Sequence, residues 1–129
     1  MNKLFISSSG NFDIQKTHIN GKGNYVITAG LTNNGVLGKT DVIANIFDKS
    51  TITIDMFGLA FYRRFSYKMV THARVFSLKT TFKITDNQGL FLANSFNFLK
   101  KKFGYQNMCT WPKIQDEKVQ LPIKNNIID

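Results

Sequence analysis

The chain has 129 residues and a mass of 14.7 kDa, enough for one hydrophobic core and too little for two ordinary domains. Hydrophobic residues make up 43%, with twelve Phe, so a packed core is expected rather than a disordered chain. Seventeen Lys and Arg against eight Asp and Glu give a net charge of +9, which draws polyanions: nucleic acid first, an anionic membrane surface second.

Cys109 is the single cysteine, so there is no intramolecular disulfide, and a reducing, cytoplasmic setting is expected. Met1 to Ile6 carry one Lys and only three consecutive apolar side chains before Ser7, too few for a secretory h-region. The longest apolar run, Met56 to Tyr62, is far short of a bilayer span, so no membrane partner is expected.

In chain order, Tyr25 to Thr28 reads as a short strand bounded by Gly23 and Gly30. Leu31 to Asp41 is turn-rich. Its Asn33-Asn34-Gly35 tolerates positive φ and reads as a tight turn between extended segments. Thr51 to Phe57 alternates, with Ile52, Ile54 and Met56 on one side and Thr51, Thr53 and Asp55 on the other. Phe61 to Met69 reads as another β segment, antiparallel to a neighbour. Val70 to Leu78 alternates again and would place His72 and Arg74 on one face.

One helix is expected over residues 87–103, with Asp86 as its N-cap. Leu92, Phe96, Leu99 and Phe103 form a stripe at helical spacing. Lys100-Lys101-Lys102 fill the last turn, where the helix dipole favours cations, and Gly104 stands at the C′ position. The fold class expected is α+β: a small single domain with a twisted, mostly antiparallel sheet and one main helix.

The positive charge is unevenly distributed. Residues 1–59 hold five basic and four acidic side chains, and residues 60–118 hold eleven basic and three acidic. A compositional bias would spread evenly, so the expectation is a basic outer face built by residues 60–118. Part of that excess has a local explanation, since the triple Lys also fits a solvated helix end.

Catalytic patterns are missing. There is no G-x-S-x-G, P-loop or dinucleotide-binding turn, and two His with one Cys do not make a zinc site. The acids are scattered, and the one adjacent pair, Asp116-Glu117, reads as solvated. A methyltransferase would need a cofactor domain larger than this chain. Cys109 reads as a buried, inert thiol and Trp111 as core. No enzyme, cofactor or metal is expected.

Residues suited to contact with DNA are Arg63, Arg64, Lys68, His72, Arg74, Asn33, Asn34, Tyr105, Gln106, Asn107 and Lys113. Arg pairs with guanine or phosphate, and Asn with adenine. Neighbouring Arg63 and Arg64 would point to opposite faces, one outward and one paired locally. His72 and Arg74 either present donors together or form an internal hydrogen-bonded pair. For Asn33 and Asn34 the turn role is sufficient by itself.

At these segments the sequence resembles the target-recognition domain of type I restriction–modification specificity subunits. The resemblance runs through Tyr25-Val26-Ile27-Thr28 to Asn34-Gly35-Val36-Leu37-Gly38, then Asn45-Ile46-Phe47 and Thr51 to Tyr62. It continues in Phe103-Gly104-Tyr105, Trp111-x-Lys113-Ile114 and Val119-Gln120-Leu121-Pro122-Ile123. The order and spacing of these pieces carry it, over most of residues 4–124.

The resemblance implies a non-catalytic module that recognises one half of a bipartite double-stranded DNA target. Its partners would be methyltransferase and restriction subunits and a second recognition domain. It places the recognition domain at residues 1–124 and the start of a cut-short spacer-helix connection at 125–129. Alternatives are the same domain in a fused methyltransferase–nuclease polypeptide and, less favoured, an RNA-binding module. RNA binding lacks an aromatic platform of ribonucleoprotein type.

Overall fold

The structure is a computed structural model that describes residues 4–104, 107–115, 123–124 and 127–128. It is an α+β fold whose strands form two mostly antiparallel sheets beside one main helix. The strands are β1 (Phe5–Ser9), β2 (Asn24–Ile27), β3 (Val36–Thr40), β4 (Thr51–Ile54), β5 (Ala60–Arg63), β6 (Tyr67–Met69) and β7 (Phe76–Thr80). A short pair follows, β8 (Ile123–Lys124) and β9 (Ile127–Ile128). The helices are α1 (Asp86–Ser95) and the single turn α2 (Trp111–Ile114).

The larger sheet has the order β1-β7-β4-β5 and is antiparallel throughout. The smaller one has the order β3-β2-β6, with β2 antiparallel to β3 and parallel to β6. All four residues of the central β4 are buried. Its alternation is as read from the sequence only as far as Ile54, and both faces are interior. The expected continuation to Phe57 is corrected, because Asp55 to Leu59 turn, with Gly58 N–H donating to the Asp55 carbonyl and Asp55 N–H to the Leu59 carbonyl. Ile52 and Ile54 join Phe76, Leu78 and Phe5 under Leu92, Phe96 and Leu99 to form the main core. Thr51 and Thr53 face the other way, toward Tyr67 and Arg63. Two smaller apolar clusters flank the second sheet, one around Val26 and Val70, the other around Ile27 and Met69.

Asn33 (φ 49) and Asn34 (φ 56) adopt the left-handed conformation at the tip joining β2 to β3, the turn read from the sequence. The expected segment Phe61 to Met69 divides in two. Its first part, β5, pairs antiparallel with β4, and its second, β6, runs parallel to β2 in the other sheet. The expected strand Val70 to Leu78 is also corrected. Residues 71–74 form a turn closed by Arg74 N–H donating to the Thr71 carbonyl at 3.1 Å, and the strand starts at Phe76. Arg74 at φ 53 cannot continue an extended ladder. Strand β1 was not read from the sequence, because its Ser7-Ser8-Ser9 lacks the β-branched and aromatic residues that mark strands.

The helix starts one residue before the expected 87–103 span and ends well short of it. Thr85, not Asp86, is the N-cap: its hydroxyl accepts from Gln88 N–H, and the Gln88 side chain accepts from Thr85 N–H. After Ser95 the chain tightens into a 3-10 segment, Asn97–Lys101. Asn94, Ser95 and Asn97 are weak helix formers, and Ser95 Oγ donates back to the Phe91 carbonyl at 3.0 Å. The stripe survives the change of pitch: Leu92, Phe96 and Leu99 are fully buried and Phe103 packs at the core's margin. Gly104 is not left-handed; it bridges Asn107 instead.

Candidate nucleic-acid interface

Strand direction sorts the surface into two ends. At one end of the larger sheet β4 and β1 finish and β5 and β7 begin. The turn from Asp55 to Leu59 caps this end. Buried Asp55 holds it, accepting from Phe57 N–H and Leu59 N–H within the turn. The same carboxylate accepts from Gly30 N–H at 2.8 Å, which fastens the β2–β3 tip with Asn33 and Asn34 to this end. Gly58 (φ 81) lies against the Leu99 backbone, where an added Cβ would come within 2.6 Å, so the 3-10 segment sits here too. Cys109 N–H donates to the Met56 carbonyl at 2.7 Å and brings in residues 107–113. Arg74 lines a cavity of about 290 Å³ with Ser9, Phe76, Thr110 and Trp111 at the same end.

This end therefore gathers Asn33, Asn34, Arg74, Lys100, Lys101, Lys102, Asn107 and Lys113. Asn33, Asn34, Arg74, Asn107 and Lys113 are exposed. Among the described residues, Arg74, Lys100 and Lys101 have no carboxylate within 4.0 Å. Lys113 Nζ donates to Asn107 Oδ1 and to the Met108 carbonyl, each at 2.8 Å, so these two side chains present one joined polar unit. Trp111 packs against the main core, and Cys109 is fully buried in it. Burial pushes the Cys109 thiol up to about 12. Tyr105 and Gln106 lie outside the described residues.

Two expected contact residues point inward. Arg63 is 3% exposed; its Nε donates to Thr53 Oγ1 at 2.9 Å and its guanidinium stacks on Phe61 at 4.8 Å. Burial pulls it down to about 10, so it stays charged at neutral pH. Lys68 is 4% exposed, and its ammonium donates to the carbonyls of Thr40 and Val42, tying β6 to the end of β3. Both side chains are buried. Sequence alternation separates Arg63 from Arg64 but does not say which one faces in.

Arg64 is exposed beside Asp86, at 3.9 Å, at the opposite end of the sheet. His72 is paired neither with Arg74 nor with solvent alone: its Nδ1 lies 2.6 Å from Asp13 Oδ1. That hydrogen bond holds the Asp13 carboxyl below its ordinary range. The eleven basic residues of 60–118 thus do not form one continuous face. Two are interior, five lie at one end of the sheet, and Arg64, Lys79 and Lys83 lie at the other, with Lys118 outside the described residues.

Lys49, Lys79 and Lys83 line an open concavity of about 880 Å³ at that second end, a grouping missed in the sequence. They come from two segments, Lys49 just before β4 and Lys79 with Lys83 at the end of β7 and just beyond it, and the pairing of β4 with β7 brings the two together.

The family described as type I restriction modification DNA specificity domain matches residues 3–127. The chain belongs to this family. The specificity domain also has a solved relative in fold, the S subunit of a type I restriction-modification system from M. genitalium. The two superpose with a TM-score of 0.55 at 15% identity, over 86% of this chain and 30% of that one. Among curated proteins no significant match to this specificity domain is found. No helix among its described residues is long and apolar enough to cross a membrane.

Proposed function

We propose that this specificity domain reads one short half of a bipartite duplex DNA target, using the end of the larger sheet that carries Asn33, Asn34, Arg74, Asn107 and Lys113. The observation that carries this reading is the convergence on one sheet end of amide side chains, an unpaired Arg and a lysine cluster from four separate segments. Lys100 and Lys101 supply sequence-independent attraction to phosphates, while Arg74 and the Asn side chains are the donors and acceptors suited to base edges. Tyr105 and Gln106 stay in the contact set on sequence position. Arg63 and Lys68 leave it, because both side chains are buried, Arg63 with its Nε on Thr53 and Lys68 with its ammonium on two carbonyls.

The domain, taken as residues 1–124, acts without chemistry of its own, in the cytoplasm. Methyltransferase and restriction subunits carry out catalysis, and a second recognition domain supplies the other half-site. One half-site alone binds weakly, with a Kd of roughly 10⁻⁴–10⁻⁶ M at physiological salt.

The test is selection from a pool of randomised duplexes. The parent is expected to enrich a short motif, and Arg74→Gln to lose preference at one or two of its positions. Enrichment of no motif by the parent at low salt would contradict the reading.

A further inference from the structure

The concavity at the second end of the sheet has a composition the fold does not need. Lys49, Lys79 and Lys83 are all exposed at its wall. Lys79 is held 3.0 Å from Asp48, whereas Lys49 and Lys83 have no carboxylate within 4.0 Å among the described residues. Hydroxyl side chains of Ser50 and Ser66 line the same space. Ammonium groups with hydroxyls around an open hollow, in which Asp48 is the one lining carboxylate and is paired with Lys79, match the phosphodiester backbone, whose oxygens take most protein–DNA hydrogen bonds. The apolar part of the wall includes Phe82 and Ile84, with no further aromatic side chain among the lining residues.

We propose that this concavity is a second DNA-contact site, one that takes backbone phosphates of the same duplex and reads no bases. It rests on the DNA-reading function above. The two sites are separated by one strand, β7, whose five residues span about 17 Å. At about 3.4 Å per phosphate along one strand, that is the axial run of about five base pairs. A short half-site can therefore occupy both ends at once. The first contact sets which bases are read, and the second fixes the angle at which the domain lies on the helix.

The experiment titrates duplex DNA onto the parent and onto the variant Lys49→Gln/Lys79→Gln/Lys83→Gln at stepped salt, with thermal melting as the control for folding. The slope of log affinity against log salt should become shallower by about two to three, at about 0.9 per lost phosphate contact. The motif enriched from a randomised pool should stay the same. Parent binding with an unchanged slope in the variant overturns the second site and leaves the DNA-reading function standing. A parent that binds no duplex at low salt overturns both. Should the triple variant melt early, Lys49→Gln and Lys83→Gln singly carry the same test, each expected to lower the slope by about one; two unchanged slopes overturn the site.

Discussion

Tyr67 joins the two sheets through the interior. Its hydroxyl lies 2.5 Å from Thr51 Oγ1 and 2.6 Å from Ser77 Oγ, all three being buried. Thr51 Oγ1 must donate to the Asp48 carbonyl, at 2.9 Å, since a carbonyl only accepts. Thr51 therefore accepts from Tyr67, and Ser77 donates to Tyr67, giving a single direction of hydrogen bonds across the interior. Tyr67→Phe breaks the chain in its middle and leaves Ser77 without that acceptor. The expected cost is about 1–3 kcal/mol by urea unfolding, with no change in the dependence on urea.

The same burial pushes the Tyr67 phenol above its ordinary range, against the opposing effect of its two hydrogen bonds. An acid whose folded pKa is raised keeps its proton longer in the folded state. Its stabilising contribution is therefore complete below the ordinary tyrosine range and falls as pH rises through and beyond it. Tyr67→Phe should flatten the loss of stability at alkaline pH, measured by melting across that range. At Cys109 the thiol is buried and pushed up to about 12. It should resist a thiol reagent at pH 8 in the folded protein and react fully once the chain is unfolded in denaturant; rapid labelling of the native state would contradict its placement.

At the scale of elements, α1 sits close to the sheet because of Gly89. A Cβ built there would come within 2.1 Å of the Tyr62 ring on β5, while the Tyr62 hydroxyl donates to Asp86 Oδ1 at 2.8 Å. Gly89→Ala gains helix propensity of about 1 kcal/mol and still should destabilise, since overpacking costs typically 1–3 kcal/mol and the ring cannot move without giving up Asp86. A melting temperature equal to or above that of the parent would show that the helix can step back.

The elements most legible in the sequence were those whose pattern is local. Asn33-Asn34-Gly35 fixes its turn by conformational preference alone, and Leu92, Phe96 and Leu99 keep one face through a change from α to 3-10 pitch. Val70 to Leu78 misled because alternation continues through residues 71–74 while the backbone turns, with Arg74 left-handed. Polar β1 becomes a strand because β7 offers it an open edge, a fact of tertiary pairing.

Over the whole molecule, the surplus charge of residues 60–118 is real but is divided by the fold. Its position in the chain does not reveal that Arg63 stacks on Phe61, that Lys68 ties down the Thr40 and Val42 carbonyls, or that Asp13 reaches His72 across the sequence. The Lys68 and His72 pairings depend on contacts tens of residues apart, and burial of Arg63 over its near neighbour Phe61 depends on which face of β5 is interior; no local pattern encodes either. What remained readable was residue type: Arg74, Asn33, Asn34, Asn107 and Lys113, chosen for their chemistry, converge at one end of the larger sheet because the Asp55 turn, Gly58 and Cys109 draw three loops to it.

The central claim is that this sheet end holds the duplex. Its most direct measurement is the affinity for duplex DNA, from low to physiological salt, of the parent and of Arg74→Gln/Lys100→Gln/Lys101→Gln. The parent should weaken steeply with salt. The variant, melting as the parent does, should bind at least tenfold more weakly at low salt with a slope shallower by about two to three. Equal affinities and equal slopes would contradict the account.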